Sequence, residues 1–462
     1  MANESQRAIE EYTSSPVTGE LARAAAEVGF KGLPGEILEL SRQCMLDWLG
    51  VTIAGASEPL VEILAEEVAE QGGHGQASLI GREGKASTRQ AAMVNGAASH
   101  ALDYDDVNWT LQGHPSVAII PGLLALAEYR EASGADFIAA FTAGYETACR
   151  VGRLVSPSHY RRGFHATSTV GAIGAAAACA NLLGLDSAKT AMAFGIAATR
   201  AAGLKSMFGT MCKPLHAGSA AENGLLAALL ASRGFDSRQD VLECAQGFAQ
   251  THSDGPDIEG ALATPPGGYY MRGNLFKFHA ACYLTHSAIE CCARLRRDFG
   301  IQPDAVNKIV LKVDSGLDGV CNIQEPASGL EAKFSLRLTS GFALAGIDTA
   351  STAAYCRENC VDPELAALRD KVSVELQSGW PETLTRVAVW LNNGQHLEAE
   401  HDSGVPAADL VEQRCRLVSK FHSLVGPLFG PQKSEKMVAL VDSLEGQPNL
   451  RDLAALSQSG ER

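Results

Sequence analysis

Apolar positions recur at helical spacing through most of the first 270 residues. The stretch 34–55, PGEILELSRQCMLDWLGVTIAG, reads as a helix, and helical runs follow near 59–71, 88–102, 117–132 and 135–151. From 166 to 233 the runs turn rich in Ala and Gly, as GAIGAAAACANLLGL, AKTAMAFGIAATRAAG and SAAENGLLAALLASRGF. Small residues on several faces let helix axes approach closely, so this block predicts the closely packed central layer of an all-helical domain. Its glycines read as packing residues, because no Gly-x-Gly-x-x-Gly follows a strand and no nucleotide fingerprint stands elsewhere.

The period changes after about residue 270. Residues 308–313 (KIVLKV), 371–376 (KVSVEL) and 386–391 (RVAVWL) alternate as strands do, and Asn393 with Gly394 predicts a hairpin turn into 396–400. The expectation is an α+β module with antiparallel strands. After Pro406 helical spacing returns in AADLVEQRCRLVSKF and SEKMVALVDSL, so the C-terminus is expected to pack back on the first domain. The predicted fold is mainly α: a large all-helical domain from 1–272 and 405–462, with a smaller antiparallel α+β domain inserted over 273–404.

Composition narrows the function classes. A chain of 462 residues exceeds what one simple core accommodates, which fits two domains. Its 38 basic and 53 acidic residues give a net charge of −15 with no basic run, which excludes nucleic acid as an expected partner. The twelve cysteines, Cys44, Cys149, Cys179 and Cys244 among them, lack paired spacing and read as buried thiols of a reducing compartment. Cys291 and Cys292 are adjacent and Cys356 and Cys360 lie four apart, but neither pair is matched at zinc-site spacing, so no metal is expected. The first sixteen residues, MANESQRAIEEYTSSP, are polar without an apolar core, and no run reaches the length of a membrane span. A cytoplasmic protein with no membrane partner is expected.

Chemistry concentrates in four segments. Residues 100–115, HALDYDDVNWTLQGHP, pack three aspartates, two histidines and a Gly-His-Pro corner between apolar helical runs. A solvated interhelical loop would have such a composition, but a polar cluster this dense costs free energy wherever water is excluded and suits carboxylate and imidazole chemistry. In 163–169, GFHATST, hydroxyls open a helix whose first N–H groups await a cap or an oxyanion. Lys213 stands among small residues in FGTMCKPLHAGSAA and is either a snorkelling surface residue or an anion clamp. Residues 277–286, KFHAACYLTH, lead into a further amphipathic helix.

In this order, LDYDD with GHPS, GFHATST, GTMCKPLHAGSAAENG and CYLTH resemble the MmgE/PrpD family, and the resemblance covers nearly the whole chain. That family includes 2-methylcitrate dehydratase, cis-aconitate decarboxylase and iminodisuccinate epimerase. The resemblance implies a large helical domain, a smaller lid domain, a substrate cleft between them, a homodimer and no cofactor. Dehydration, decarboxylation and epimerisation of a polycarboxylic acid share one problem: several carboxylates must be held while a proton is controlled on a neighbouring carbon.

Carried over motif by motif, the catalytic candidates are Asp103, His114, His165, Lys213 and His286, with Thr167, Ser168, Thr169 and Lys277 as candidates for substrate binding. Lys213 is expected to bind a carboxylate or transfer a proton, His165 and His114 to orient and do acid/base work, and Asp103 to fix a histidine or act as base. His100, Asp105, Asp106 and His216 read as scaffold. Members resembling the decarboxylase carry a Thr directly after the acidic cluster and a Tyr in the lid. Here Val107 follows Asp106, and Val320 or Cys321 falls where the tyrosine would. The motif spacing looks closer to the iminodisuccinate epimerase branch. The expected activity is a hydro-lyase of the 2-methylcitrate dehydratase type, with an epimerase as alternative and a decarboxylase or an inactive carboxylate binder ranked lower.

Overall fold

A computed structural model describes residues 17–459; the polar stretch 1–16 lies outside the described residues. The chain divides into two compact units, one running to Phe276 and resuming at Asp409, the other Lys277–Ala408.

The first unit is helical throughout its core. At its centre stands the helix Ala166–Leu182, whose residues 166–180 are all buried, packed between Gly134–Val155, Pro115–Arg130 and Cys212–Ser232. No amphipathic stripe is present because every face meets a neighbour, and Ala and Gly are the side chains that permit this. Backbones touch directly at the crossings. A Cβ on Gly96 would stand 2.6 Å from the Cα of Gly218, and one on Gly224 would stand 2.6 Å from the Ala176 nitrogen. Gly218→Ala would drive a methyl group into the Met93 carbonyl and is expected to destabilise the protein by about 1–3 kcal/mol. Urea unfolding that shows no change in midpoint would contradict this reading of the crossing.

The chain after Asp409 does return to the helical unit. Helix Leu410–Phe429 packs along Gly35–Gly55, where Gly50 admits the Phe421 ring. At the same interface the buried Lys420 Nζ bonds Asp47 Oδ1 at 2.6 Å and the Tyr104 carbonyl at 2.7 Å. Among the described residues no single helix is long and apolar enough to cross a membrane. All twelve cysteines are free; Cys44, Cys149, Cys179 and Cys244 are buried as expected, whereas Cys212 and Cys415 are exposed.

The second unit holds a four-stranded sheet in which Val306–Asp314 lies between Val372–Gln377 and Leu384–Leu391, with His396–Asp402 at the far edge. The expected antiparallel pairing joins Val306–Asp314 to Leu384–Leu391 and Leu384–Leu391 to His396–Asp402, and a third pairing is parallel. It joins Val306–Asp314 to Val372–Gln377, with Ile309 opposite Val372. The segment between the parallel strands contains the helices Leu336–Ala345 and Pro363–Asp370, the long crossover that parallel neighbours require. Helices His286–Phe299 and Leu336–Ala345 pack on one another and on the sheet, burying Ile309, Leu311, Val387 and Val389.

Candidate active site

Three helix starts meet in the first unit. His114 is the residue before Pro115–Arg130, His165 the residue before Ala166–Leu182, and Lys213 lies in the first turn of Cys212–Ser232. Each start carries partial positive charge, a setting that favours anions, although Pro115 has no N–H, the Ser116 N–H already donates to Asp106 Oδ1 at 3.2 Å, and the Cys212 and Lys213 N–H groups donate to Thr210. Gly113 lets two of these starts touch: a Cβ there would stand 2.7 Å from Thr167 Oγ1 and 2.9 Å from its nitrogen. The His114 N–H then donates to Thr167 Oγ1 at 3.1 Å. Asp103 enters from the end of Thr88–His100 with φ +50°, in the left-handed region that Asp tolerates better than most side chains.

Lys213 Nζ lies 2.9 Å from Asp103 Oδ1, with the Asp103 side chain 44% exposed and that of Lys213 17%. The Phe208 ring centroid is 5.5 Å from the same ammonium. His114 Nε2 stands 3.9 Å from Asp103 Oδ1, and its Nδ1 lies 2.8 Å from Asp105 Oδ2, off the axis of a straight hydrogen bond. His100 Nδ1 reaches both Asp105 oxygens, at 3.0 and 3.1 Å. Burial alone would raise the Asp105 carboxyl, but the imidazoles of His100 and His114 hold it well below the usual carboxylate range. An ionised carboxylate only accepts, so His100 carries its proton on Nδ1; burial lowers the His100 pKa to about 4, which keeps the ring neutral. His165 is stacked on His100 at 5.9 Å, meets Phe208 edge-on at 4.9 Å, and places Nδ1 3.0 Å from His216 Nδ1. Burial, then His100, His114, Lys213 and His216, push the His165 pKa far below its ordinary value.

The structure thus brings Asp103, His114, His165 and Lys213 into one cluster. The hydroxyls of the GFHATST turn are all engaged with protein: Thr167 by His114, Ser168 by the His216 carbonyl at 3.2 Å, and Thr169 by His159 Nε2 at 2.7 Å. Lys277 and His286 belong to the second unit, where both are buried. His286 opens the helix His286–Phe299 with its ring 4.9 Å from that of His279, and Nε2 has no hydrogen-bond partner among the described residues; burial, His279 and Lys277 hold it neutral. Of the residues read as scaffold, Asp106 fits that reading, accepting from Ser116 Oγ at 2.6 Å, with burial lifting its pKa to about 7. His100, Asp105 and His216 instead touch the candidate residues directly. Spacing carried a signal for one of them: His216 follows Lys213 by three, on the same helix face.

Donor atoms of His100, Asp103, Asp105 and His114 lie within 4.8 Å of one another, close enough for a cation to draw together. They are already engaged, however. Asp105 faces two imidazoles, and the Lys213 ammonium pairs with Asp103 Oδ1. The donor set fits an internally balanced hydrogen-bonded cluster better than a metal centre.

Family models for the MmgE/PrpD N-terminal domain and the MmgE/PrpD C-terminal domain match residues 19–261 and 279–446. The chain belongs to the MmgE/PrpD family. Its cluster of Asp103, His114, His165 and Lys213 lies within the part matched by the N-terminal MmgE/PrpD model, and His286 within the part matched by the C-terminal one. Among similar proteins, a cis-aconitate decarboxylase of Homo sapiens is 28% identical over 372 residues, which is 78% of this chain and 76% of the relative. A cis-aconitate decarboxylase of Aspergillus terreus is 26% identical over 484 residues, 98% of each chain. One of Mus musculus is 27% identical over 446 residues, 91% of this chain and 88% of the relative.

Proposed function

We propose that this protein is an enzyme that moves a proton at a carbon next to a carboxylate of a small polycarboxylic acid, acting as a lyase. One observation carries the reading: a lysine–aspartate pair at 2.9 Å stands beside two imidazoles, at the meeting of three helix starts. Lys213 and the helix starts hold carboxylates. His165, kept neutral, offers a bare ring nitrogen to the substrate proton, and Asp105 lies 2.8 Å from His114 Nδ1 and orients that ring toward Asp103 and Lys213. Charge that develops on the substrate as the proton leaves is met by the Lys213 ammonium and by fixed N–H dipoles.

Loss of water from a 2-methylcitrate-like acid and loss of carbon dioxide from cis-aconitate both fit this arrangement. Similarity to proteins named cis-aconitate decarboxylase favours the second reaction, against the order expected from the motifs alone. Val107, an apolar residue where decarboxylase-like sequences carry a Thr hydroxyl, favours the first or an epimerisation.

The test is incubation in deuterium oxide with cis-aconitate, 2-methylcitrate, citrate and iminodisuccinate, followed by proton NMR. A new alkene from a hydroxy acid marks a dehydratase, loss of a carboxyl carbon from cis-aconitate marks a decarboxylase, and exchange without a new skeleton marks an epimerase. No change in any acid would overturn the proposal. Because Lys213 already pairs with Asp103, prior treatment with EDTA is expected to leave turnover intact; loss restored by a divalent cation would transfer the chemistry to a metal.

A further inference from the structure

His165 and His216 face each other through like atoms. Their Nδ1 nitrogens are 3.0 Å apart, with the rings tilted by 53°. Two N–H groups at that distance would collide, and two lone pairs would repel, so one proton lies between the nitrogens. Both rings are held neutral. Burial and then the Lys213 ammonium lower the His216 pKa, and His165 is lowered by burial and by His100, His114 and Lys213 around it. Two neutral imidazoles that share one Nδ1 proton must adopt opposite tautomers: the donor has a bare Nε2, and the acceptor carries Nε2–H.

The backbone that carries each ring is anchored. The His165 N–H donates to the Gly203 carbonyl at 3.0 Å, and Ser168 Oγ donates to the His216 carbonyl at 3.2 Å. His165 is buried, whereas His216, one turn beyond Lys213 on Cys212–Ser232, is only half-buried and has the easier access to solvent.

From this geometry we infer that His216 is a positioning residue that sets the tautomer of His165 and carries its proton to and from water. The step balances with no oxidant or reductant. The substrate C–H proton passes to bare Nε2 of His165, the Nδ1 proton of His165 moves to Nδ1 of His216, and the Nε2 proton of His216 leaves to water. Both rings end neutral with their tautomers exchanged, and the substrate keeps the electron pair. Run in reverse, the relay delivers a solvent proton. The inference rests on the proposed proton-transfer activity, with His165 as the group that meets the substrate.

The experiment has two arms. In the first, protein with 15N-labelled histidine is examined by NMR without substrate. One Nδ1–H and one Nε2–H tautomer sharing a proton are expected for His165 and His216, and identical tautomers or a doubly protonated ring would overturn the inference. In the second, His216→Ala is assayed on whichever of the four acids the native protein consumes. Its kcat is expected to fall about 10- to 100-fold, with KM little changed, and to be restored by added imidazoles in an order that follows their pKa. An unchanged kcat, or a loss that no imidazole relieves in a variant with native circular dichroism, would overturn the relay. If the native protein consumes none of the acids, the proposed activity fails while the NMR arm still decides whether the two histidines form the complementary pair.

Discussion

Replacing Lys213 by alanine is expected to lower kcat/KM by about a thousandfold, or ~4 kcal/mol of transition-state stabilisation. Two effects combine. The ammonium is the cation that faces both Asp103 and the Phe208 ring, so its removal takes away the positive charge available to a substrate carboxylate. It also takes from Asp103 the ammonium that faces it at 2.9 Å, so the carboxylate beside His114 repels a substrate carboxylate more strongly. If Lys213 only binds the ground state, KM rises and kcat stands; if it meets charge that grows as the proton leaves, kcat falls as well. The proposal requires a fall in kcat. Lys213→Arg is not expected to rescue, because a planar fork differs in shape and reach from a compact ammonium held between a carboxylate and an aromatic ring. A Lys213→Ala protein with native kcat would remove this residue from the chemistry.

The helical elements and the positions of the main candidates were legible because their signals are local. Helical periodicity shows in any window of a dozen residues, and His114, His165 and Lys213 each stand where an apolar helical run begins. Strand direction is not local. KIVLKV and KVSVEL alternate in the same way whether paired parallel or antiparallel, and only the intervening helices decide that Val306–Asp314 and Val372–Gln377 run together. The pairings inside the site were hidden for the same reason. The contact between His165 and His216 joins residues 51 apart, and which ring nitrogen meets which depends on the angle at which two helices cross. Asp105 reads as scaffold in the sequence because its neighbours there do not reveal that two imidazoles converge on it.

Lys420 left no mark in the sequence at all, since it reads as one more charged residue on an amphipathic C-terminal helix, yet its replacement is expected to be among the most damaging single changes. Its side chain is 2% exposed and that of Asp47 1%, with 2.6 Å between them. Lys420→Met fills similar space but leaves the Asp47 carboxylate without the buried ammonium opposite it. The expected cost is about 3–5 kcal/mol, read as a lowered urea midpoint. The double variant Lys420→Met/Asp47→Leu should recover most of that loss, because an apolar pair of similar volume often serves as well as a buried ion pair. Activity should not recover in parallel. Lys420 also bonds the carbonyl of Tyr104 and lies 3.8 Å from its ring, and Tyr104 stands between Asp103 and Asp105 in the loop that positions both. With that anchor gone, Asp103 and Asp105 hold their imidazole and ammonium partners less firmly, so a stable double variant with reduced kcat is the predicted result. Full activity in that variant would show that the loop is fixed by other contacts, and a single variant as stable as the native protein would show that Asp47 needs no cation.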